Sequence, residues 1–166
     1  VSKELREELW TRFKNASTAI NKKHQAHFEG LKSREQENLD AKTAICEEIE
    51  AIDMDALKTF KDWEEMNKKV IALQEKWKTI GFAPKKANVK IFERFRAACD
   101  AYFNRKNDFY KAIKNDMERN LELKKALCEK AEALKDSTDW KDSTDKLIAL
   151  QKEWKTIGPV AKKYSD

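Results

Sequence analysis

The chain has 166 residues, a formal net charge of +5 and 39% charged residues, but only 3 Gly and 2 Pro. This composition is typical of long helices and unlike that of an average globular domain. Hydrophobic residues still make up 40% of the chain, with 5 Trp and 8 Phe, which excludes a disordered polyelectrolyte. No window reaches the roughly 18 apolar residues of a membrane span, and the N-terminal stretch lacks a signal-peptide core. Three cysteines without metal-ligand spacing indicate a reducing compartment, so we expect a cytoplasmic protein that does not contact a membrane.

The first predicted element is one long helix over about residues 2–51, with Ser2 as its N-cap. Its apolar stripe recurs at alternating steps of three and four residues, the period of a helix that buries one face. A lone glycine, Gly30, costs a helix only about 1 kcal/mol relative to alanine, which leaves open a bend at that position. The stripe comprises Trp10, Phe13, Ser17, Ile20, His24, His27, Leu31, Arg34, Asn38, Ala41, Ile45, Ile49 and Ile52.

A turn over residues 53–61 leads to a second predicted helix over about residues 60–80, which carries Trp63 and Trp77 on its stripe. Gly81 follows the last apolar position, and we expect it to end the helix in the left-handed conformation of a glycine C-cap. Pro84 suits the first turn of the next helix, where its missing N–H costs nothing.

The rest of the chain repeats this pattern, with a third helix over about residues 84–135 and a fourth over about residues 138–157. Val70–Lys86, VIALQEKWKTIGFAPKK, recurs 77 residues later as Leu147–Lys163, LIALQKEWKTIGPVAKK. Leu9–Phe13 recurs 82 residues later as Ile91–Phe95. The stripe of the third helix comprises Phe92, Phe95, Cys99, Tyr102, Lys106, Phe109 and Ile113, and Gly158 closes the fourth helix. The sequence therefore predicts two repeats, residues 1–82 and 83–166.

The predicted fold is all-α, with each repeat a long helix followed by a shorter antiparallel helix. Burial of every stripe requires elongated, spectrin-like three-helix bundles joined by continuous long helices, of which residues 34–110 form one complete example. The stripe residues left without partners are Trp10, Phe13 and Ile20 near the start, and Leu127, Leu134, Trp140 and Trp154 near the end. Because repeats need neighbours, we expect further repeats in a longer parent protein, or self-association.

The repeated pattern resembles a bacterial family catalogued as domain of unknown function 349, which occurs singly or in tandem. The pattern is an aromatic residue before Arg-Phe, then Asn-Leu with Lys four residues after the Asn, then Leu-Gln-x-x-Trp-Lys-x-Ile-Gly. In the first repeat it is carried by Trp10, Arg12, Phe13, Asn38, Lys42, Leu73, Gln74, Trp77, Ile80 and Gly81. In the second it is carried by Phe92, Arg94, Phe95, Asn120, Lys124, Leu150, Gln151, Trp154, Ile157 and Gly158. The resemblance implies a helical, repeated, bacterial protein and implies no reaction.

Polar residues also fall on the predicted buried stripes. Asn38 and Asn120 occupy equivalent positions, preceded one step earlier by Arg34 and Asp116. Polar groups on a helical seam can fix register, and we favour that role over a polar pocket that includes Lys42 or Lys124.

Other candidate sites have structural explanations that we favour. His24 and His27, three residues apart, lack the further ligands that a metal site needs, so we expect histidines of the helix surface or seam. Trp77 and Trp154, beside Lys78 and Lys155, would suit base stacking, but their place on the stripe predicts burial in a core. Cys46, Cys99 and Cys128 are also predicted to fill core space. We expect no catalytic residues, cofactor, metal or small-molecule substrate.

The best binding candidate is a set of basic residues near the helix junctions: Arg12, Lys85, Lys86, Arg94, Lys162 and Lys163. Such a cluster can contact phosphate, although a solvated helix surface explains it as well. The first function hypothesis is a non-catalytic repeat module of a larger bacterial protein that acts as a protein-interaction scaffold or spacer. The alternative is an RNA- or ribosome-associated module that uses these basic residues.

Overall fold

The computed structural model describes residues 2–165, and these residues form helices and connecting turns without a strand. The elements are α1 (Lys3–Glu50), α2 (Phe60–Thr79), α3 (Lys85–Glu132) and α4 (Trp140–Thr156), with single 3-10 turns at Met54–Ala56 and Lys162–Tyr164. The all-α fold class is confirmed. Among the described residues, no helix contains a stretch apolar enough to cross a bilayer.

The two long helices begin and end at equivalent positions of the repeat. Each has 48 residues, and each boundary of α3 lies 82 residues after the corresponding boundary of α1. Ser2 is confirmed as the N-cap of α1, since its Oγ accepts a hydrogen bond from the Leu5 N–H at 3.3 Å. The helix passes through Gly30 without interruption. A side chain at Gly30 would meet no other atom within 4 Å, so the helix surface there is open.

The turn between α1 and α2 is held by side chains that cap its hydrogen-bonding groups. The Thr59 hydroxyl accepts from the Asp62 N–H at 3.1 Å, and the Asp62 carboxylate accepts from the Thr59 N–H at 3.0 Å, which is a capping box. These bonds hold the pKa of Asp62 below its usual value. The indole N–H of Trp63 donates to the Leu57 carbonyl at 2.9 Å, which anchors the turn to the core.

Packing divides the chain into two compact units, unit 1 (Val1–Phe103) and unit 2 (Asn104–Asp166). Unit 1 contains α1, α2 and the first part of α3, and unit 2 contains the remainder of α3 and α4. The division therefore lies inside α3, whereas the sequence repeats meet at residues 82 and 83.

In unit 1, all three helical segments contribute to one hydrophobic core. Ile45 and Ile49 of α1 meet Cys99 of α3, and residues of α2 including Leu73 and Trp77 pack around them. The predicted stripe of α3 is wrong at one position, because Ile91 is buried whereas Phe92 is 52% exposed. Both residues are apolar, so the local sequence does not determine which of the two faces the core.

In unit 2, α4 packs on the last part of α3 and buries far less. Leu127 is buried there, so the expectation that it lacks partners is wrong. The expectation holds for Trp140, the first residue of α4, which is 78% exposed. Its equivalent in unit 1, Trp63, is buried.

Candidate interaction surfaces

The first part of α3 covers a face of α1 and α2 in unit 1. We call the covered residues the closed face: Ile45, Cys46, Ile49, Leu73 and Trp77. The Trp77 ring stacks on Phe95 with centroids 4.0 Å apart and planes inclined by 11°. The Cys46 thiol lies 3.9 Å from the Ile91 carbonyl oxygen and is completely buried. Stacked aromatic pairs contribute about 1 kcal/mol beyond the area they bury, so this pair adds to the stability of the closed face.

An ion pair borders the closed face. The Arg94 guanidinium donates from Nε to Glu50 Oε1 at 2.8 Å and from Nη2 to Glu50 Oε2 at 2.7 Å. This two-point contact lowers the pKa of Glu50, so the carboxylate stays ionised. Its bidentate geometry also fixes the orientation of α3 across α1. Arg94, a candidate for phosphate binding, is therefore engaged within unit 1.

Lys42 is a buried cation behind the Trp77 ring. Its side chain is only 7% exposed, with Nζ 5.1 Å from the ring centroid and 3.5 Å from Asn88 Oδ1. Burial lowers its pKa, because removing the ammonium from water disfavours the charged form. The ring face and the amide oxygen offset part of this cost, so Lys42 serves the packing of Trp77 and is not open to a ligand.

Asn38 and Gly81 form a close contact between α1 and the end of α2. The Asn38 Nδ2 donates to the Phe82 carbonyl at 2.9 Å, and a methyl group at Gly81 would lie 2.9 Å from that nitrogen. Gly81 has no positive φ, so the predicted left-handed C-cap is wrong. The position needs glycine because the Asn38 amide occupies the space of a side chain.

Unit 2 repeats this contact. The Asn120 Nδ2 donates to the Pro159 carbonyl at 2.9 Å, and a methyl group at Gly158 would lie 2.8 Å from Asn120 Nδ2. Gly158, like Gly81, has no positive φ. Each asparagine therefore fixes the position of the short helix against the long one. Arg34 and Asp116, predicted on the same stripe, are exposed.

The residues of unit 2 that correspond to the closed face line an open groove between α3 and α4, which we call the unit 2 groove. Its volume is about 530 Å³. Trp154 is 42% exposed and Cys128 is exposed. The prediction that they lie in a core is therefore wrong, whereas the expectation that Trp154 lacks a partner holds among the described residues. No described helix covers them. The lining residues are Leu127, Cys128, Ala131, Leu147, Leu150, Gln151, Trp154 and Lys155.

The segment of α3 that covers the closed face also has an equivalent in the chain, which is the first part of α1. Leu9, Phe13, Ser17 and Ile20 are equivalent to Ile91, Phe95, Cys99 and Tyr102, and we call these four residues of α1 the α1 face. Phe13 is 66% exposed, and Leu9 and Ile20 are exposed as well. Large apolar side chains exposed together on one helix surface are typical of an interaction site.

The remaining basic candidates lie on exposed surface. Lys85 and Lys86 begin α3, Lys162 and Lys163 form the final 3-10 turn, and Arg12 lies beside Phe13. They make no ion pair within the described part of the chain. Many other basic residues pair with acids on the same helix, as Lys78 with Glu75, Arg96 with Asp100, Arg119 with Asp116, Lys125 with Glu122 and Lys146 with Asp142.

His24 and His27 both contact the Phe28 ring, with centroid distances of 4.4 and 5.9 Å. Within residues 2–165, no three His, Cys, Asp or Glu residues come together in a way that would hold a metal ion.

The sequence did not identify three residues of unit 1 that make contacts at the closed face: Glu50, Asn88 and Ile91. Glu50 and Arg94 are 44 residues apart, so no local pattern joins them. The repeat carries the available signal, since Arg12 precedes Arg94 by 82 residues and Glu132 follows Glu50 by 82 residues.

A family model described as Domain of Unknown Function (DUF349) matches residues 8–86 and 90–163. No curated protein matches the chain, and no solved structure matches it.

Proposed function

Since the chain belongs to the family described as Domain of Unknown Function (DUF349), which names no activity, we propose its function from its surfaces. It is a non-catalytic protein-interaction scaffold. Its unit 2 groove accepts an amphipathic helix, and its α1 face offers such a helix to a groove of the same kind.

A single comparison within the chain carries this proposal. Trp77 and Cys46 are covered by the first part of α3, whereas Trp154 and Cys128 carry the same pattern and are uncovered. Burial of apolar surface contributes about 25 cal/mol per Å², so a helix that covers the groove as α3 covers the closed face gains the same kind of packing. Laying an apolar helix face into an apolar groove is a common mode of peptide recognition.

The chemistry of the reactive side chains also favours a non-catalytic role. Burial raises the pKa of Cys46 to about 11 and raises the pKa of Cys99, so both thiols stay protonated at neutral pH and are poor nucleophiles. Lys42 is enclosed by Trp77 and Asn88.

Anisotropy with a labelled peptide of residues 85–103, the segment that covers the closed face, tests the proposal. At about 0.15 M salt, where exposed charges are screened over about 8 Å, we expect the peptide to bind the chain. Trp154→Asp should abolish binding because it places a charge in the groove. Ile148→Asp, on the same helix but outside the groove lining, is the matched control and should bind the peptide normally.

A labelled single-stranded RNA at the same salt tests the alternative. The exposed Lys85, Lys86, Lys162 and Lys163 are the observation that favours RNA or ribosome association. If the chain binds RNA, loses that binding when these four lysines are replaced by Glu, and does not bind the peptide, the RNA proposal would replace the scaffold proposal. Absence of both activities would reject the groove as a binding site.

A further inference from the structure

We propose that the partner of the unit 2 groove is a second copy of this chain, which docks its α1 face head to tail. The inference rests on the proposed function and specifies its partner. Unit 1 already contains the geometry of such a contact, because its closed face is covered by the segment of α3 that is equivalent to the α1 face.

The offset of the repeat gives the register of docking. Phe95 stacks on Trp77 at 4.0 Å, and the equivalent pair is Phe13 of the second copy on Trp154 of the first. Both rings are present and exposed. The Ile91 carbonyl lies 3.9 Å from Cys46, which places Leu9 of the second copy over the exposed Cys128.

The Arg94–Glu50 ion pair that borders the closed face has an equivalent pair of oppositely charged residues. Arg12 is equivalent to Arg94, and Glu132, the last residue of α3, is equivalent to Glu50. Both are exposed, and neither is paired within the described part of the chain. Head-to-tail docking brings them together in the arrangement of the Arg94–Glu50 pair, with two short N–H···O contacts.

Three differences indicate a contact weaker than the internal one. Ser17 stands where Cys99 fills the core and Ala131 where Ile49 does, so less apolar volume is buried. Arg6 stands where Asn88 accepts from Lys42, so a cation of the second copy would face Lys124, which lies over the Trp154 ring at 4.9 Å. These differences favour a reversible, concentration-dependent association.

Sedimentation velocity on the whole chain, from about 1 to 100 μM to bracket a micromolar Kd, tests the proposal. The wild type should associate as concentration rises. Phe13→Asp and Trp154→Asp should each stay monomeric. Mixed in equal amounts, they should form a 1:1 complex, because one retains an intact groove and the other an intact α1 face.

The mixing experiment separates head-to-tail contact from a symmetric one. A contact between two α1 faces would be lost in Phe13→Asp, unchanged in Trp154→Asp and not restored by mixing, and that pattern would overturn the proposal. A wild type that remains monomeric throughout would also overturn it. If the peptide of residues 85–103 still binds, the proposed function survives that result and only the identity of the partner is wrong.

Charge variants give a second measurement that does not depend on an aspartate in an apolar site. Arg12→Glu and Glu132→Arg should each weaken association by about tenfold, and the double variant should recover most of the loss because the pair is restored with exchanged signs. Arg6→Asn should strengthen association by removing the cation that faces Lys124. All three positions are exposed, so circular dichroism should show unchanged helix content. If the double variant associates no more tightly than the two single variants, the proposed register is wrong.

Discussion

Gly81→Ala tests why glycine occupies the end of α2. The methyl group would lie 2.9 Å from Asn38 Nδ2, closer than a side chain can approach a nitrogen, so the Asn38 amide must move. That movement breaks its hydrogen bond to the Phe82 carbonyl, now 2.9 Å long. Gly30→Ala is the matched control, because its new methyl group meets nothing within 4 Å.

The two substitutions should change the free energy of unfolding in opposite directions. Alanine in an open helix interior is favoured over glycine by about 1 kcal/mol, so Gly30→Ala should stabilise by that amount. At Gly81 a gain of about 0.4–1 kcal/mol from the restricted unfolded chain is outweighed by the lost hydrogen bond, about 1 kcal/mol, and by overpacking, about 1–3 kcal/mol. We expect a net destabilisation of about 1–3 kcal/mol.

Urea unfolding followed by circular dichroism measures both values, and a double-mutant cycle assigns the cause. In an Asn38→Ala background the obstructing amide is absent, so Gly81→Ala should become neutral or stabilising. The coupling between the two positions should be about 1–3 kcal/mol, the size expected of residues in direct contact. Equal effects of Gly81→Ala in the two backgrounds would refute the steric explanation.

Three further predictions concern residues of the closed face, and two of them compare it with the unit 2 groove. Trp77→Ala should destabilise the chain by about 3 kcal/mol in the same urea assay, whereas Trp154→Ala should cost about 1 kcal/mol or less because its ring is 42% exposed; equal costs would contradict the difference in covering. Under native conditions a maleimide should modify the exposed Cys128 and spare the buried Cys46, as mass spectrometry of tryptic peptides would show, and fast labelling of Cys46 would contradict its burial. Burial also raises the pKa of Cys46 from 9.0 to about 11, so the stability it contributes is fully present below pH 9 and is lost as the pH rises through 11. Cys46 should therefore contribute a fall of about 2–3 kcal/mol in the free energy of unfolding over that interval, and the fall in Cys46→Val should be smaller by that amount; an identical fall in both proteins would contradict it.

The repeat made the helix order predictable. The four helices end within about three residues of their predicted ends, because apolar periodicity and the Ser2 cap are local features that one stretch of sequence records. The exposure of Phe13 also followed from the repeat, since its equivalent, Phe95, packs against a short helix that precedes it in the chain.

Contacts between distant residues account for what the sequence did not reveal. The role of Gly81 depends on Asn38, whose amide bonds the carbonyl of Phe82, 44 residues away. The role of Arg94 depends on Glu50, which is also 44 residues away. A glycine after a helix suits a left-handed cap as well as it suits a close approach, and only the packed structure distinguishes these explanations.

The exposure of Trp154 shows a second limit of prediction from the sequence. Its local sequence is nearly identical to that of Trp77, so periodicity assigns both to a core. Burial depends instead on a covering helix, which the chain supplies from α3 for Trp77 and does not supply from the described residues for Trp154.

A site-specific cross-link tests head-to-tail docking most directly. In unit 1 the Cys46 thiol lies 3.9 Å from the Ile91 backbone, so a cysteine at Leu9 of one copy should lie beside Cys128 of another. A Leu9→Cys/Cys128→Ser protein, mixed with wild type and mildly oxidised, should form a covalent heterodimer joined through residues 9 and 128. Thr11→Cys/Cys128→Ser is the control, since the equivalent Glu93 is exposed and its cysteine would point away from the groove. A disulfide-linked heterodimer for Leu9→Cys and none for Thr11→Cys is the predicted result. Equal cross-linking of both, or of neither, would contradict docking of the α1 face in the unit 2 groove.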